Sequence, residues 1–308
     1  MVASTTPFLV VGEALMDIVR RPGTAPVEHV GGSPANVAIG LARLGHKVLL
    51  ATALGADARG DIVRSHLEGN GVTVDNGLDN GQPTSTAIAT LDERGAATYE
   101  FDLHWEPGTV AIAEGTGHLH TGSIAAVIQP GAGDVVEAIE RGRATATVSY
   151  DPNVRPSIMG DLDAARAQIE RVIRSADVVK ASSDDLDLLY PGQAVEDVLA
   201  QWGDLGPALT VATLGAEGVT YRVTGTGEYV SVPAPDSPVV DTVGAGDSFM
   251  AGLISGLAVA GFLGGPTERA ALQAADAAAV AAAIERGNRC GTITVSRAGA
   301  YAPSLDEL

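Results

Sequence analysis

The residues best suited to chemistry lie in Asp241-Thr242-Val243-Gly244-Ala245-Gly246-Asp247-Ser248-Phe249, which runs into the apolar segment Met250 to Leu257. Small residues at Gly244, Ala245 and Gly246 let backbone N–H groups approach a ligand. The helix predicted from the apolar segment points its positive end at the same spot. Together they make an anion hole, suited to charge developing on the oxygens of a phosphoryl group in transfer. Asp247, in the first turn, could take a proton from a hydroxyl as that hydroxyl attacks phosphorus. Taken alone, the same residues fit a glycine-rich loop with Asp247 as a helix cap equally well. Two cations stand out in a chain so acidic: Arg155, two residues after Asn153 at a strand end, and Lys180. Both are candidate counter-charges for phosphate, Arg155 through its planar fork, although a surface salt bridge is the plainer role for Arg155.

These residues need a scaffold that collects them. Phe8 to Val11 reads as a buried strand ending at Gly12. Pro34 to Leu44 reads as a helix, with Val37, Leu41 and Leu44 at helical spacing and Gly45 as its stop. Lys47 to Thr52 follows as a strand and Asp61 to Asn70 as a helix. That alternation predicts a mostly parallel sheet with crossover helices, a three-layer α/β/α fold. It resumes from His118, with strands at Val148 to Tyr150, Val178 to Lys180 and Leu209 to Thr213. Helices are expected at Asp163 to Ser175 and Ser183 to Tyr190. Val219 to Val223 and Tyr229 to Val232 read as an antiparallel pair. The last third reads as two helical runs, Ala245 to Ala260 and Glu268 to Ile284. Two stretches break the rhythm. Ile18 to Val30 carries Pro22, Gly23 and Pro26, and Ser85 to Phe101 reads as a hairpin turning at Asp92 to Gly95. A lone hairpin is unstable in water, so these stretches are expected to form a small sheet leaning on the main one. In such sheets ligands bind at the carboxyl ends of strands.

Bulk composition excludes several classes. At 308 residues and 45% hydrophobic the chain can bury a full core, and with no linker or repeat it reads as one domain spanning 1–308. A net charge of -19 repels phosphate backbones and anionic lipid, so neither nucleic acid nor membrane is an expected partner. No stretch has the length of a spanning helix or the build of a signal segment. Cys290 stands alone, so no internal disulfide exists, and it reads as an inert thiol near a loop. The expected location is cytoplasmic.

The segment Asp241 to Phe249 resembles the C-terminal signature of the ribokinase-like, or PfkB, carbohydrate kinases. Gly31-Gly32-Ser33-Pro34-Ala35-Asn36-Val37-Ala38, continuing to Gly45, resembles the family's sugar-binding loop as it enters a helix. Gly12 to Asp17 and Tyr150 to Pro156 match as well. The motifs keep the family order from about Val10 to Pro303 and are most similar to the bacterial fructokinase branch. The resemblance implies a ribokinase-like fold with a β lid, formed by about 14–31 and 84–104. Asp247 would be the base, with Gly244, Ala245 and Gly246 as the anion hole. Asp17, Gly31, Gly32 and Asn36 would bind sugar hydroxyls, Asp17 accepting two hydrogen bonds and Asn36 both donating and accepting. Phe101, with His104 and Trp105, would lie near the sugar mouth, and Arg155 near the phosphate or a substrate carboxylate. Thr213, Gly215 and Gly218 match the nucleotide loop, with Lys180 and Ser182 beside it. The family usually places Asn and Glu three apart after a lysine to organise Mg²⁺ through water. Here Ser182 and Asp185 take those positions. Asp241, the carbonyl of Val243 and the loop around Gly299 match a monovalent-cation site, with K⁺ the implied ion.

The implied reaction is transfer of the ATP γ-phosphoryl group to a primary hydroxyl of a small sugar, fructose first. Other acceptors on the same fold are 2-keto-3-deoxygluconate, ribose or a nucleoside. A non-catalytic sugar or nucleotide sensor is the alternative of another class. Exposed faces of the lid could pair two chains into a homodimer.

Overall fold

The computed structural model describes residues 6–75, 81–92 and 97–308. Its strands are β1 (Phe8–Val11), β2 (Leu15–Arg20), β3 (Val27–Gly31), β4 (Val48–Ala51), β5 (Val72–Asp75), β6 (Thr86–Leu91), β7 (Ala97–Asp102), β8 (His118–Gly122), β9 (Thr147–Asp151), β10 (Val178–Ser182), β11 (Leu209–Thr213), β12 (Val219–Val223) and β13 (Glu228–Val232). Among the described residues nine of them form one sheet in the order β13-β12-β11-β10-β9-β8-β1-β4-β5. The run from β5 to β11 is parallel, and β12 and β13 add an antiparallel edge. From β1 the chain builds the sheet outward through β4 and β5. It then returns to β8 on the other side of β1 and builds in the opposite direction. The crevice where ligands gather in such sheets therefore opens beyond the ends of β1 and β8.

Helices cover both faces: α1 (Ser33–Arg43), α2 (Ala58–Gly69), α3 (Gly131–Gly142), α4 (Pro156–Met159), α5 (Leu162–Ile173), α6 (Ser183–Leu189), α7 (Val195–Leu205), α8 (Ala245–Val259), α9 (Pro266–Gln273) and α10 (Ala277–Val295). The two-residue alternation of β1 shows the layering. Phe8 and Val10 join the core built with α1, α2, α8 and α10, and Leu9 and Val11 the core built with α3, α5, α6 and α7. Helix α8 is buried from Ser248 to Leu257 because helices flank it on two sides. A Cβ on Gly40 of α1 would lie 2.6 Å from Ala251, and one on Gly256 would lie 2.6 Å from the Cα of Ala283 in α10. Small residues at these positions let three helices approach closely enough to fix the start of α8 over the strand ends.

The remaining strands form the expected smaller sheet, in the order β3-β2-β6-β7. Met16 and Ile18 of β2 point into the α1/α2 core, which seats this sheet on the main body. The anticipated hairpin is β6 paired with β7, from Thr86 opposite Asp102 to Leu91 opposite Ala97. Most of its turn, residues 93–96, lies outside the described residues.

Two expectations need correction. The single helical run Glu268 to Ile284 is two helices, because Asp276 stops the first and caps the second by accepting the Ala279 N–H at 2.9 Å. Helix α10 then continues to Val295, so Cys290 lies inside it, 1% exposed, and not near a loop. Burial pushes its thiol up to about 12, against the pull of Arg286 and Arg289. Helices α3 and α7 and strand β5 were not foreseen. No described helix is long and apolar enough to cross a membrane.

Candidate active site

The start of α8 turns on a glycine and leaves first-turn amides open. Gly244 is its N-cap, in the left-handed region at φ 75°, and a Cβ there would meet Ala300 at 2.7 Å. The Ala245 N–H turns back to the Thr242 carbonyl at 3.3 Å. That leaves the amides of Gly246 and Asp247 as the first-turn donors without a partner inside the helix. Lys180 reaches the same turn from β10, since a Cβ on Gly246 would lie 3.0 Å from its Nζ.

Asp247 does not cap its own helix. Its Oδ1 accepts from the Ser33 hydroxyl at 2.6 Å and its Oδ2 from the Asn36 Nδ2 at 2.8 Å, both on the first turn of α1. Packing of α1 against α8 thus brings the expected base and one expected sugar ligand into direct contact. Two donors on one carboxylate hold it in a single orientation. Ser33 was quoted within the sugar-binding loop but given no role, because nothing along the chain shows that it reaches Asp247. Only the fold shows where its hydroxyl points.

Lys180 pairs with Asp151, Nζ to Oδ2 at 2.6 Å, the two side chains being 4% and 1% exposed. Burial pulls the lysine pKa down, but Asp151, Asp185 and Asp247 outweigh it and the net direction is up. Burial pushes Asp151 up to about 6 against the attraction of Lys180. The pair is therefore ionic at neutral pH. Lys180, a candidate counter-charge for phosphate, thus also carries a carboxylate partner. The Oδ1 of Asp151 has none among the described residues.

Ser182 and Asp185 form a capping box at the start of α6. The Asp185 Oδ2 accepts from the Ser182 N–H and hydroxyl, at 2.9 and 2.6 Å, and its Oδ1 accepts from the Val154 N–H at 2.7 Å. Asp185 thereby ties the loop after β9 to the end of β10. Thr213 ends the neighbouring β11, in register with Ser182. Gly215 and Gly218 follow at φ 57° and 104°. Asp241 accepts from the N–H groups of Val243 at 3.1 Å and Gly299 at 2.9 Å, which hold its pKa below the usual carboxylate range and join the three residues expected to hold a cation.

On the small sheet, Asp17 lies directly over Gly31, where any Cβ would collide with its carboxylate. Burial raises its pKa, opposed by His29. Phe101 sits half-buried on β7 and stacks on Tyr99, with ring centroids 6.2 Å apart. Arg155 is exposed at the start of α4 and donates to the Val154 carbonyl at 2.9 Å. Glu13, just past β1, is 5% exposed beside Asp247. It was quoted in the sequence motif but given no role. A carboxylate at the end of the switch-point strand was the available signal. Among the described residues no group of three metal-type side chains converges.

The pfkB family carbohydrate kinase model matches residues 6–307. A fructokinase of Vibrio alginolyticus is 31% identical over 310 residues, covering 97% of this chain and 96% of its own. Among solved structures, an aminoimidazole riboside kinase from Salmonella enterica, in complex with aminoimidazole riboside and an ATP analogue, superposes with a TM-score of 0.79. It is 28% identical over 98% of both chains. A fructokinase double mutant from Vibrio cholerae O395, bound to fructose, ADP and potassium ion, gives 0.79 at 26% identity. It covers 97% of this chain and 95% of its own. The family match across nearly the whole length and the curated fructokinase relative lead to one conclusion: the chain belongs to the pfkB family of carbohydrate kinases and is an ATP-dependent sugar kinase.

Proposed function

We propose that the protein is a fructokinase, with Asp247 as its general base. The observation that carries the reading is the Asp247 carboxylate, fixed by Ser33 and Asn36 beside the first-turn amides of α8. The sugar hydroxyl oxygen attacks the γ-phosphorus of ATP and its proton passes to Asp247. The bond from phosphorus to the β–γ bridging oxygen breaks, and ADP leaves. The amides of Gly246 and Asp247 and the Lys180 ammonium face the charge on the transferring group. Asn36 and Asp17, with Gly31 and Gly32 giving room, bind the sugar hydroxyls. Thr213, Gly215 and Gly218 form the nucleotide loop, and the small sheet acts as a lid that excludes water. Mg²⁺ supplies charge neutralisation on the phosphates, and Ser182 and Asp185 would hold it through water beside Asp151. K⁺ would sit at the loop of Asp241, Val243 and Gly299.

Fructose is the favoured acceptor because of the fructokinase relatives. The likeness to an aminoimidazole riboside kinase favours a riboside as the second reading. The protein is expected in the cytoplasm, as a monomer or as a homodimer paired through its lids. ADP release is to be measured with Mg²⁺ over fructose, ribose, 2-keto-3-deoxygluconate and a nucleoside, with and without K⁺. Fructose is expected to give the highest kcat/KM, with Asp247→Asn lowering it ~10²–10⁴-fold. Turnover of the riboside alone, or full activity of the Asn variant, would overturn the respective half of the reading.

A further inference from the structure

We propose that Glu13 is a positioning residue for phosphoryl transfer: its buried carboxyl, with no cation opposite it, braces the turn after β8 behind the base and sets the charge beside the incoming phosphates. The inference rests on the reading of Asp247 as base.

Glu13 and Ser123 stand just past the ends of β1 and β8, on either side of the switch point. The backbone of Glu13 cannot retreat. A Cβ on Gly12 would strike the Pro34 ring, and one on Gly32 would lie 2.5 Å from the Glu13 carbonyl oxygen. On the far side the chain turns sharply, with Ser123 at φ 55°, a strained value for a residue with a side chain. That turn aims the Ser123 hydroxyl and the Ala125 N–H at the Glu13 carboxyl. Two bonds hold it in place: Trp105 Nε1 donates to the Ala125 carbonyl, and the Thr121 hydroxyl to the Val11 carbonyl, both at 2.8 Å. Trp105 follows the last strand of the small sheet, so the brace also joins that sheet to the base.

Among the described residues the carboxyl has no cationic partner. Lys180 is committed to Asp151, and the Oε2 of Glu13 is buried with no hydrogen-bond partner among the described residues. The titratable groups facing it are Asp247 on α8 and Tyr150 on β9, the latter with an unpartnered hydroxyl. The turn after β8 offers only Ser123 and the Ala125 amide. An ionised carboxylate here would be a buried charge with nothing opposite it. Burial accordingly pushes its pKa up to about 8, with Asp247 adding to the push against the hydrogen bonds. At neutral pH Glu13 then adds no negative charge beside Asp247. Above the Glu13 pKa it adds one, and phosphate is repelled.

The test is the pH dependence of kcat/KM, using the acceptor sugar that turns over fastest. In the wild type, activity falls about tenfold from pH 7 to pH 9. Glu13→Gln keeps neutral-pH activity within about threefold and flattens that alkaline fall. Loss of activity in a folded Glu13→Gln protein at pH 7 would mean that the carboxylate is needed as an anion. An alkaline fall unchanged by the substitution, or absent from the wild type, would equally overturn the proposal. Ser123→Ala removes only a hydrogen bond that favours the charged form, so its alkaline fall moves to higher pH. If it does not move, the brace is not as proposed. Asp247→Asn separates the two readings: activity there would sink the base assignment whatever Glu13→Gln does.

Discussion

The Lys180–Asp151 pair decides most at the scale of single residues. Both side chains are out of water, so their mutual attraction is needed to offset the desolvation of each. Removing one partner leaves a buried charge and costs about 3–5 kcal/mol, whereas removing both can be nearly neutral. Lys180→Met is therefore expected to lower stability by that amount, and Lys180→Met/Asp151→Asn to recover most of it. Urea unfolding of the four proteins of this cycle measures the coupling. Neither variant is expected to regain activity, because the proposed mechanism sets the ammonium beside Gly246 against the transferring phosphoryl group. A double variant with wild-type kcat would remove Lys180 from the site. A double variant as unstable as the single one would mean that the pair is not what holds Lys180 in place.

At the scale of elements, the site depends on where α8 begins. Gly244 adopts a conformation that costs a residue with a side chain roughly 1–2 kcal/mol, and Ala300 stands 2.7 Å from any added Cβ. Neither residue can yield without moving the loop that carries Asp241 and Gly299. Gly244→Ala is thus expected to displace the first-turn amides and to lower kcat ~10²-fold, about the effect of losing one oxyanion-hole donor. Melting of the folded protein changes far less, since Ser248 to Leu257 stay packed between α1 and α10. A variant with unaltered kcat would show that the amides do not act on the reaction. The sequence made this junction legible through its glycines and the apolar run after them. It made α1 and the strand ends legible in the same way. Less was readable where tertiary packing decides. Asp276 interrupts an alanine-rich run of continuous helical propensity, and only its cap to Ala279 shows the break. Asp185 was readable as a carboxylate acting on Mg²⁺ through water, but not as the tie that joins Val154 to Ser182. Glu13 looked like part of a motif because nothing in its neighbours along the chain reveals that α1 and the turn after β8 close around it.

Across the whole molecule, three histidines buried on the α8 face of the sheet set how it responds to acid. His118 bridges Thr147 and Ser149, His120 also meets Ser149, and His46 meets Ser255 at 2.8 Å. Burial holds all three in the neutral form. His46 falls to about 4, helped by Arg286, and His120 to about 3, helped by Lys180. His118 lies well below the ordinary value. Because the folded values lie below the unfolded one, the unfolded chain takes up protons first. Their stability contribution is complete above about pH 6.5 and is lost as pH falls. Glu13 and Asp151 act with the opposite sign. Their folded values, about 8 and about 6, lie above the unfolded ones. What they contribute is therefore present in acid and lost as pH rises, over about pH 4–6 for Asp151 and pH 4–8 for Glu13. Between pH 5 and 6 the histidines outnumber the carboxyls, and the balance is a loss of about 1 kcal/mol per pH unit of acidification. Near pH 7 the histidines are spent and the slope reverses weakly. Against a total of roughly 5–15 kcal/mol, that places the stability maximum close to neutrality with the steeper side in acid. Thermal unfolding from pH 5 to 8 measures it. His46→Gln, which removes one of the three proton acceptors, is expected to make the acid side shallower. A melting temperature that rises steadily toward pH 5 would mean that these histidines are already charged inside the fold.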